Sequence, residues 1–171
     1  MTEEELIEVK PEFMGFQNKG YPGAFPPKVE AVIKRLIASP CLHLFSGVSK
    51  IGDTRIDISR CEATLNIDVF EFIKSDTYVW KWVLADPPYA ITRKDRKLAE
   101  YQIKSSVSGN MQYRREISRY LQEHTENVLW FDYASPVPFG FYREKVWTWL
   151  AGGWRPVRVL TWLKRKGERL T

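Results

Sequence analysis

A chain of 171 residues, 44% hydrophobic and 14% aromatic, is long enough to bury one core and is expected to form a single domain over 1–171. Its formal charge of +5 permits a polyanionic partner without requiring one. Cys41 and Cys61 lack metal-ligand spacing, no apolar run approaches a membrane span, and no basic-apolar-small leader opens the sequence; no disulfide framework or zinc site is implied, no membrane partner is expected, and a cytoplasmic protein is expected.

The segment Phe13 to Pro27, rich in Gly, Pro and aromatics, reads as an ordered but irregular arm. Pro26 and Pro27 suit a helix N-terminus, and Val29, Val32, Ile33, Leu36 and Ile37 then recur at helical spacing as far as Ser39-Pro40. CLHLF (41–45) is a short buried strand, TRIDI (54–58) the next, and ATLNI (63–67) a weaker third before a helical VFEFIK. Between the first two stand only the residues SGVSKIGD, whereas a parallel crossover normally needs a dozen or more. Either that connection is unusually tight or the strand limits differ. YVWKWVLAD (78–86) is a strand rich in β-formers. In MQYRREISRYLQEH (111–124), Tyr113, Ile117, Tyr120 and Leu121 share a helical face. NVLWFDY (127–133) is a strand, and VWTWLAGGWRPVRVLTWL (146–163) reads as a hairpin around Gly152-Gly153. Trp80 and Trp82 should share one sheet face, as should Trp147 and Trp149, in both cases as packing.

Strand–helix alternation with a late hairpin predicts an α/β fold: an arm and helix over 1–40, then a core over 41–171 whose central sheet is mostly parallel, with a C-terminal antiparallel hairpin at its edge. Ligands bind such sheets at the carboxyl ends of the strands. Gly47, Asp57, Asp68 and Asp86 all fall at that edge. Each has an ordinary structural reading too, as a turn former, a solvated strand end or, for Asp68, a helix N-cap. The stretch VLADPPYA (83–90) is the exception. Two prolines behind an aspartate form a rigid turn that neither strand nor helix needs.

The residues LADPPY (84–89) resemble the (D/N/S)PP(Y/F/W) motif of amino-methyltransferases dependent on S-adenosylmethionine. HLFSG (43–47) resembles the first cofactor motif of that family, a strand followed by F-x-G-x-G, and YPGAFPPKVEAVIKRLI (21–37) is similar to the cofactor-contacting segment that precedes it in many DNA methyltransferases. The resemblance covers the first half of the chain. It implies a Rossmann-like methyltransferase fold that methylates an exocyclic amino group of a nucleobase, adenine N6 in DNA foremost. Asp86 and the Pro87 carbonyl would accept the two amine hydrogens, Pro88 would hold the turn rigid, and Tyr89 would stack on the base. Phe25, Pro26, Phe45, Ser46, Gly47, Asp57, Asp68 and Val69 match positions that hold the cofactor. Two other readings stand beside this one: guanine N2 methylation of ribosomal RNA, and a non-catalytic nucleic-acid-binding subunit on the same fold. A nicotinamide enzyme is disfavoured, because no G-x-G-x-x-G follows a strand.

The sequence departs from the family at Ser49, where the second glycine would stand, and at His43, where an acid often opens the motif; His43 reads as a core histidine. No separate target-recognition domain is expected over 1–171, which leaves room for a protein partner or a second copy to supply recognition. Arg93, Lys94, Arg96, Lys97, Arg114 and Arg115 are candidates for phosphate contacts with a nucleic acid, DNA favoured over RNA.

Overall fold

A computed structural model describes residues 10–16, 25–58, 62–88, 110–150 and 157–167. Helix α1 (Pro27–Leu36) opens on Pro26 and Pro27, whose fixed φ suits a first turn and whose missing N–H has no partner to lose there. Its apolar stripe buries Val29 and Ile33. Helix α2 (Val69–Ser75) is capped by Asp68, whose carboxylate accepts from the amides of Phe70 at 2.8 Å and Glu71 at 3.3 Å. Helix α3 (Met111–His124) coincides with the predicted segment. Asn110 caps it, and Ile117, Tyr120 and Leu121 form its buried face.

Seven strands form one sheet: β1 (Glu12–Phe16), β2 (Cys41–Leu44), β3 (Thr54–Ile56), β4 (Trp80–Ala85), β5 (Thr125–Asp132), β6 (Phe141–Leu150) and β7 (Val157–Arg165). Their order is β1-β6-β7-β5-β4-β2-β3. Only β7 runs against the others; it pairs antiparallel with β5 and β6, and every other pair is parallel. The class is therefore α/β with a mixed, mostly parallel sheet. On one face Leu42, Val83, Val128 and Trp130 pack against α2 and α3; on the other Leu84, Leu129, Phe131 and Trp147 pack against α1. Burial on both faces accounts for the nearly unbroken apolar runs of β2, β4 and β5. No helix among the described residues is long and apolar enough to cross a membrane.

Four expectations are corrected. The C-terminal hairpin is not the sheet's edge, because β7 turns inward to lie between β5 and β6, and β1 covers β6. β1 falls in the segment read as an irregular arm: Gly15 at φ 95° and a register shift between Phe13 and Phe16 break the alternation that marks a strand. Nor do Trp80 and Trp82 pack together. Trp80 joins the α2–α3 layer and Trp82 the α1 layer, and at this end of β4 the amides of Lys81 and Trp82 both donate to the Pro40 carbonyl. Trp147 and Trp149 do share a face. The weak strand 63–67 is reduced to a single parallel bridge, Leu65 to Ile56.

The short connection is real. Residues 45–53 link the adjacent parallel strands β2 and β3 without a helix. Buried Ile51 fills part of the α1 layer, and its carbonyl lies 3.0 Å from His43 Nδ1. His43 is fully buried, which holds its ring well below the usual imidazole range, at about 4, and so neutral near pH 7. Asp53 closes the loop, accepting from the Cys41 amide at 2.8 Å and the Ser39 hydroxyl at 3.0 Å. Gly52 makes the turn at φ 99°, and a Cβ there would stand 3.1 Å from His43 Cβ. Gly52→Ala is therefore expected to cost about 1–3 kcal/mol in urea unfolding; an unchanged midpoint would mean that the loop can relax elsewhere.

Candidate active site

β2 and β4 lie side by side, but the chain leaves β2 for β3 on one flank and β4 for β5 on the other. Such a divergence leaves a crevice outside the carboxyl ends of the two strands. Phe45–Gly47 follow β2 and Asp86–Pro88 follow β4. The Asp86 amide donates to the Leu44 carbonyl at 3.4 Å, tying the two strand ends together.

The turn after β2 is strained and pinned. Phe45 and Gly47 both adopt left-handed φ, 61° and 53°, at a cost for Phe45 of about 1–2 kcal/mol. The Ser46 amide donates to the Ile56 carbonyl at 3.0 Å, and the Gly47 amide donates to Asp57 Oδ2 at 2.9 Å. Asp57 is thus buried at the end of β3, where it orients the glycine turn. The Ser46 hydroxyl is buried with no hydrogen-bond partner among the described residues. A buried polar atom normally has one, so the turn offers an unused hydrogen-bonding group beside its backbone. Ser49, in place of the second glycine, has a local task instead: its hydroxyl accepts from the Ile51 amide at 3.2 Å.

Asp86 is only partly exposed, and Pro87 beside it is buried. Burial raises the Asp86 carboxyl to about 7; the charge of Arg158 works against that rise and the charge of Asp132 adds to it. Asp86 therefore changes charge near neutrality, as an acceptor above about pH 7 and a neutral acid below.

Asp132 and Arg158 complete the charged rim, and sequence reasoning singled out neither. Asp132 ends β5 as Asp86 ends β4, so an acid closing an apolar strand was the signal available. It is buried, accepts from Trp130 Nε1 at 3.2 Å and from the Tyr133 amide at 2.6 Å, and pairs with Arg114 at 3.6 Å. Arg158 opens β7, its guanidinium 5.5 Å from the Phe131 ring, 5.6 Å from Tyr133 and 5.9 Å from Trp149.

The other sequence candidates are distributed as follows. Phe25 is buried in the α1 layer, stacked on His43 at 5.6 Å and edge-on to Phe131 at 5.5 Å, and Pro26 is the buried N-cap of α1. Asp68 caps α2, and Val69 is buried beneath it. Arg114 is engaged with Asp132, while Arg115 is exposed on α3. Tyr89, Arg93, Lys94, Arg96 and Lys97 lie outside the described residues. No group of three or more His, Cys, Asp or Glu among the described residues could hold a metal ion.

No protein-family model matches the chain, and no curated protein sequence matches it significantly.

Proposed function

We propose that the protein is an S-adenosylmethionine-dependent methyltransferase acting on an exocyclic amino group of a nucleobase, adenine N6 in DNA foremost. The observation that carries the reading is the junction of a DPP turn and a glycine turn across the crevice between β4 and β2, bridged by the Asp86 amide and the Leu44 carbonyl. The sheet order supports it as well. Counted from β2, with the Leu65 bridge as third strand, the parallel part runs 3-2-1-4-5, the order of doubly wound nucleotide-binding sheets.

The residues present fit the cofactor. Gly47 lacks a side chain where a ligand must approach backbone, Ser46 offers a buried hydroxyl, and Asp57 stands at the second strand's end, where ribose hydroxyls are taken in such folds. S-adenosylmethionine would supply a methyl group activated by its sulfonium. This chain's own work falls on the amine, a poor nucleophile while its lone pair is delocalised into the ring. The Asp86 carboxylate accepts one N–H and the Pro87 carbonyl the second, which favours the pyramidal nitrogen needed for attack. The turn fixes both acceptors before substrate arrives. One proton leaves the nitrogen as the methyl arrives, and a carboxylate that titrates near 7 can receive it.

The test is calorimetric titration with S-adenosylmethionine and its demethylated product, followed by methyl-transfer assays on DNA and on RNA. Saturable binding with transfer to DNA is expected, and Asp86→Ala should abolish transfer while retaining the fold and cofactor binding. Transfer to RNA alone would select guanine N2 methylation. No binding by well-folded protein would turn the reading to a non-catalytic nucleic-acid-binding subunit.

A further inference from the structure

We propose that Tyr133 and Arg158 form a seat for one nucleotide of a single-stranded nucleic acid, the base stacked on the Tyr133 ring and its phosphate held by the Arg158 guanidinium. The placement follows from strand register. Arg158 stands opposite Trp149 of β6, and one step beyond the last β5–β7 pair, Asp132 with Val159, it meets Tyr133. Residues opposed in this way share a sheet face, and Trp149 belongs to the α1 face. The guanidinium lies 5.5 Å from the Phe131 ring, 5.6 Å from Tyr133 and 5.9 Å from Trp149. Phe131 and Trp149 are buried and make the floor of the seat; Tyr133 and Arg158 are half-buried and make its rim.

A series of ring contacts joins the seat to the end of β2. Phe131 meets Phe25 edge-on at 5.5 Å, and Phe25 stacks on His43 at 5.6 Å. β7 lies two strand spacings from β4, a span of about 10 Å, or roughly three base steps of a nucleic-acid strand. A nucleotide that flanks the one entering the crevice can therefore reach Tyr133 and Arg158. The chemistry of the two side chains fits such a partner. Cover for Phe131 and Trp149 needs only the arginine stem, whereas a guanidinium ordered on three rings is a fixed cation with five donors, suited to meeting a phosphate bidentately. The tyrosine ring supplies a face on which any base can stack. Asp132, the acid next to Tyr133, is engaged on the side of α3, where Arg114 pairs with it at 3.6 Å. The formal charge of +5 favours a polyanion as well.

That the bound strand is a substrate rests on the methyl transfer proposed above, but the seat is measured without cofactor. A fluorescent single-stranded DNA of about 12 mixed nucleotides is titrated with the whole chain and followed by anisotropy from about 50 to about 200 mM salt. Tyr133→Leu is expected to weaken binding about tenfold with the salt slope unchanged. Arg158→Met, which keeps apolar cover for the buried rings, should weaken binding too and lower the slope of log affinity against log salt by about 0.7. Lys166→Met removes a cation just past the far end of β7 and should leave affinity nearly unchanged. Equal losses in Arg158→Met and Lys166→Met would reveal diffuse charge and overturn the proposal, as would an affinity indifferent to Tyr133→Leu. The unsubstituted protein gives a reading that no folding defect can disturb: a strand carrying iodouracil, irradiated in the complex, should attach at Tyr133, and attachment only at other residues overturns the proposal. Strand binding without binding of S-adenosylmethionine would overturn the methyl transfer and leave the seat standing. Cofactor binding without strand binding would do the reverse.

Discussion

Asp86→Asn is expected to raise the stability of the protein progressively as pH increases from about 4 to about 7. The carboxyl titrates near 3.8 when unperturbed and is raised to about 7 in the fold, chiefly by burial. Between those values the folded state holds a proton that the unfolded state releases. Stability carried by Asp86 is thus fully present below about pH 4 and is lost as pH rises through about 7. The loss amounts to roughly 2–4 kcal/mol after allowance for the partly exposed carboxylate. The uncharged amide has no such loss. The melting temperature of Asp86→Asn minus that of the unsubstituted protein should therefore grow by roughly 5–10 °C between pH 4 and pH 8. Taking the difference cancels the titration of every group the substitution leaves alone. A difference that stays flat with pH would show that Asp86 is solvated as an ordinary surface acid, and its part in the chemistry would weaken with it. Such a penalty is what a carboxylate buried at an apolar strand end costs a fold, and perturbed groups of this kind cluster at functional sites.

The parts of the fold that were legible in the sequence are those set by local rules. Helix α3 could be read to its limits because Asn110 caps it and its apolar residues recur at helical spacing. β4 and β5 could be read because burial on both faces leaves unbroken apolar runs. β1 was hidden by Gly15. The first half of β6, Tyr142 to Glu144, is exposed and carries charge beside a register shift at Arg143–Lys145, so it lacks the pattern of a strand. At the site, the glycine turn and the DPP turn were visible because each is contiguous. Arg158 was not, because it meets the Phe131, Tyr133 and Trp149 rings only through the β6–β7–β5 order, and strand order is set by packing partners rather than by pattern. Arg114 is instructive in another way. As a basic residue in a basic stretch it suggests a phosphate contact, yet its ion pair with Asp132 fastens α3 to the end of β5. Asp57 and Asp68 carry structural tasks in addition to the ones proposed for them, which is common for acids at strand and helix ends.

Asp57→Ala should disable the glycine turn and, with it, cofactor binding. The buried Gly47 amide would lose its acceptor, a loss of about 1–3 kcal/mol for a buried unpaired donor. The left-handed conformations at Phe45 and Gly47 would lose the bond that pins them to β3, leaving the Ser46 amide bond to Ile56 as the remaining tie of the turn to that strand. Affinity for S-adenosylmethionine in calorimetry is expected to fall about 100-fold or more, equivalent to about 2.7 kcal/mol. Asp57→Asn separates the two roles. Its amide oxygen can still accept from Gly47, so most of the stability in urea unfolding should return. An amide offers fewer acceptor sites than the roughly four of a carboxylate, so affinity should return only in part. Full recovery of binding in Asp57→Asn would make Asp57 a loop staple alone. Binding that survives even Asp57→Ala would place the ribose contact elsewhere, and the glycine turn would then owe its strained shape to the link between β2 and β3.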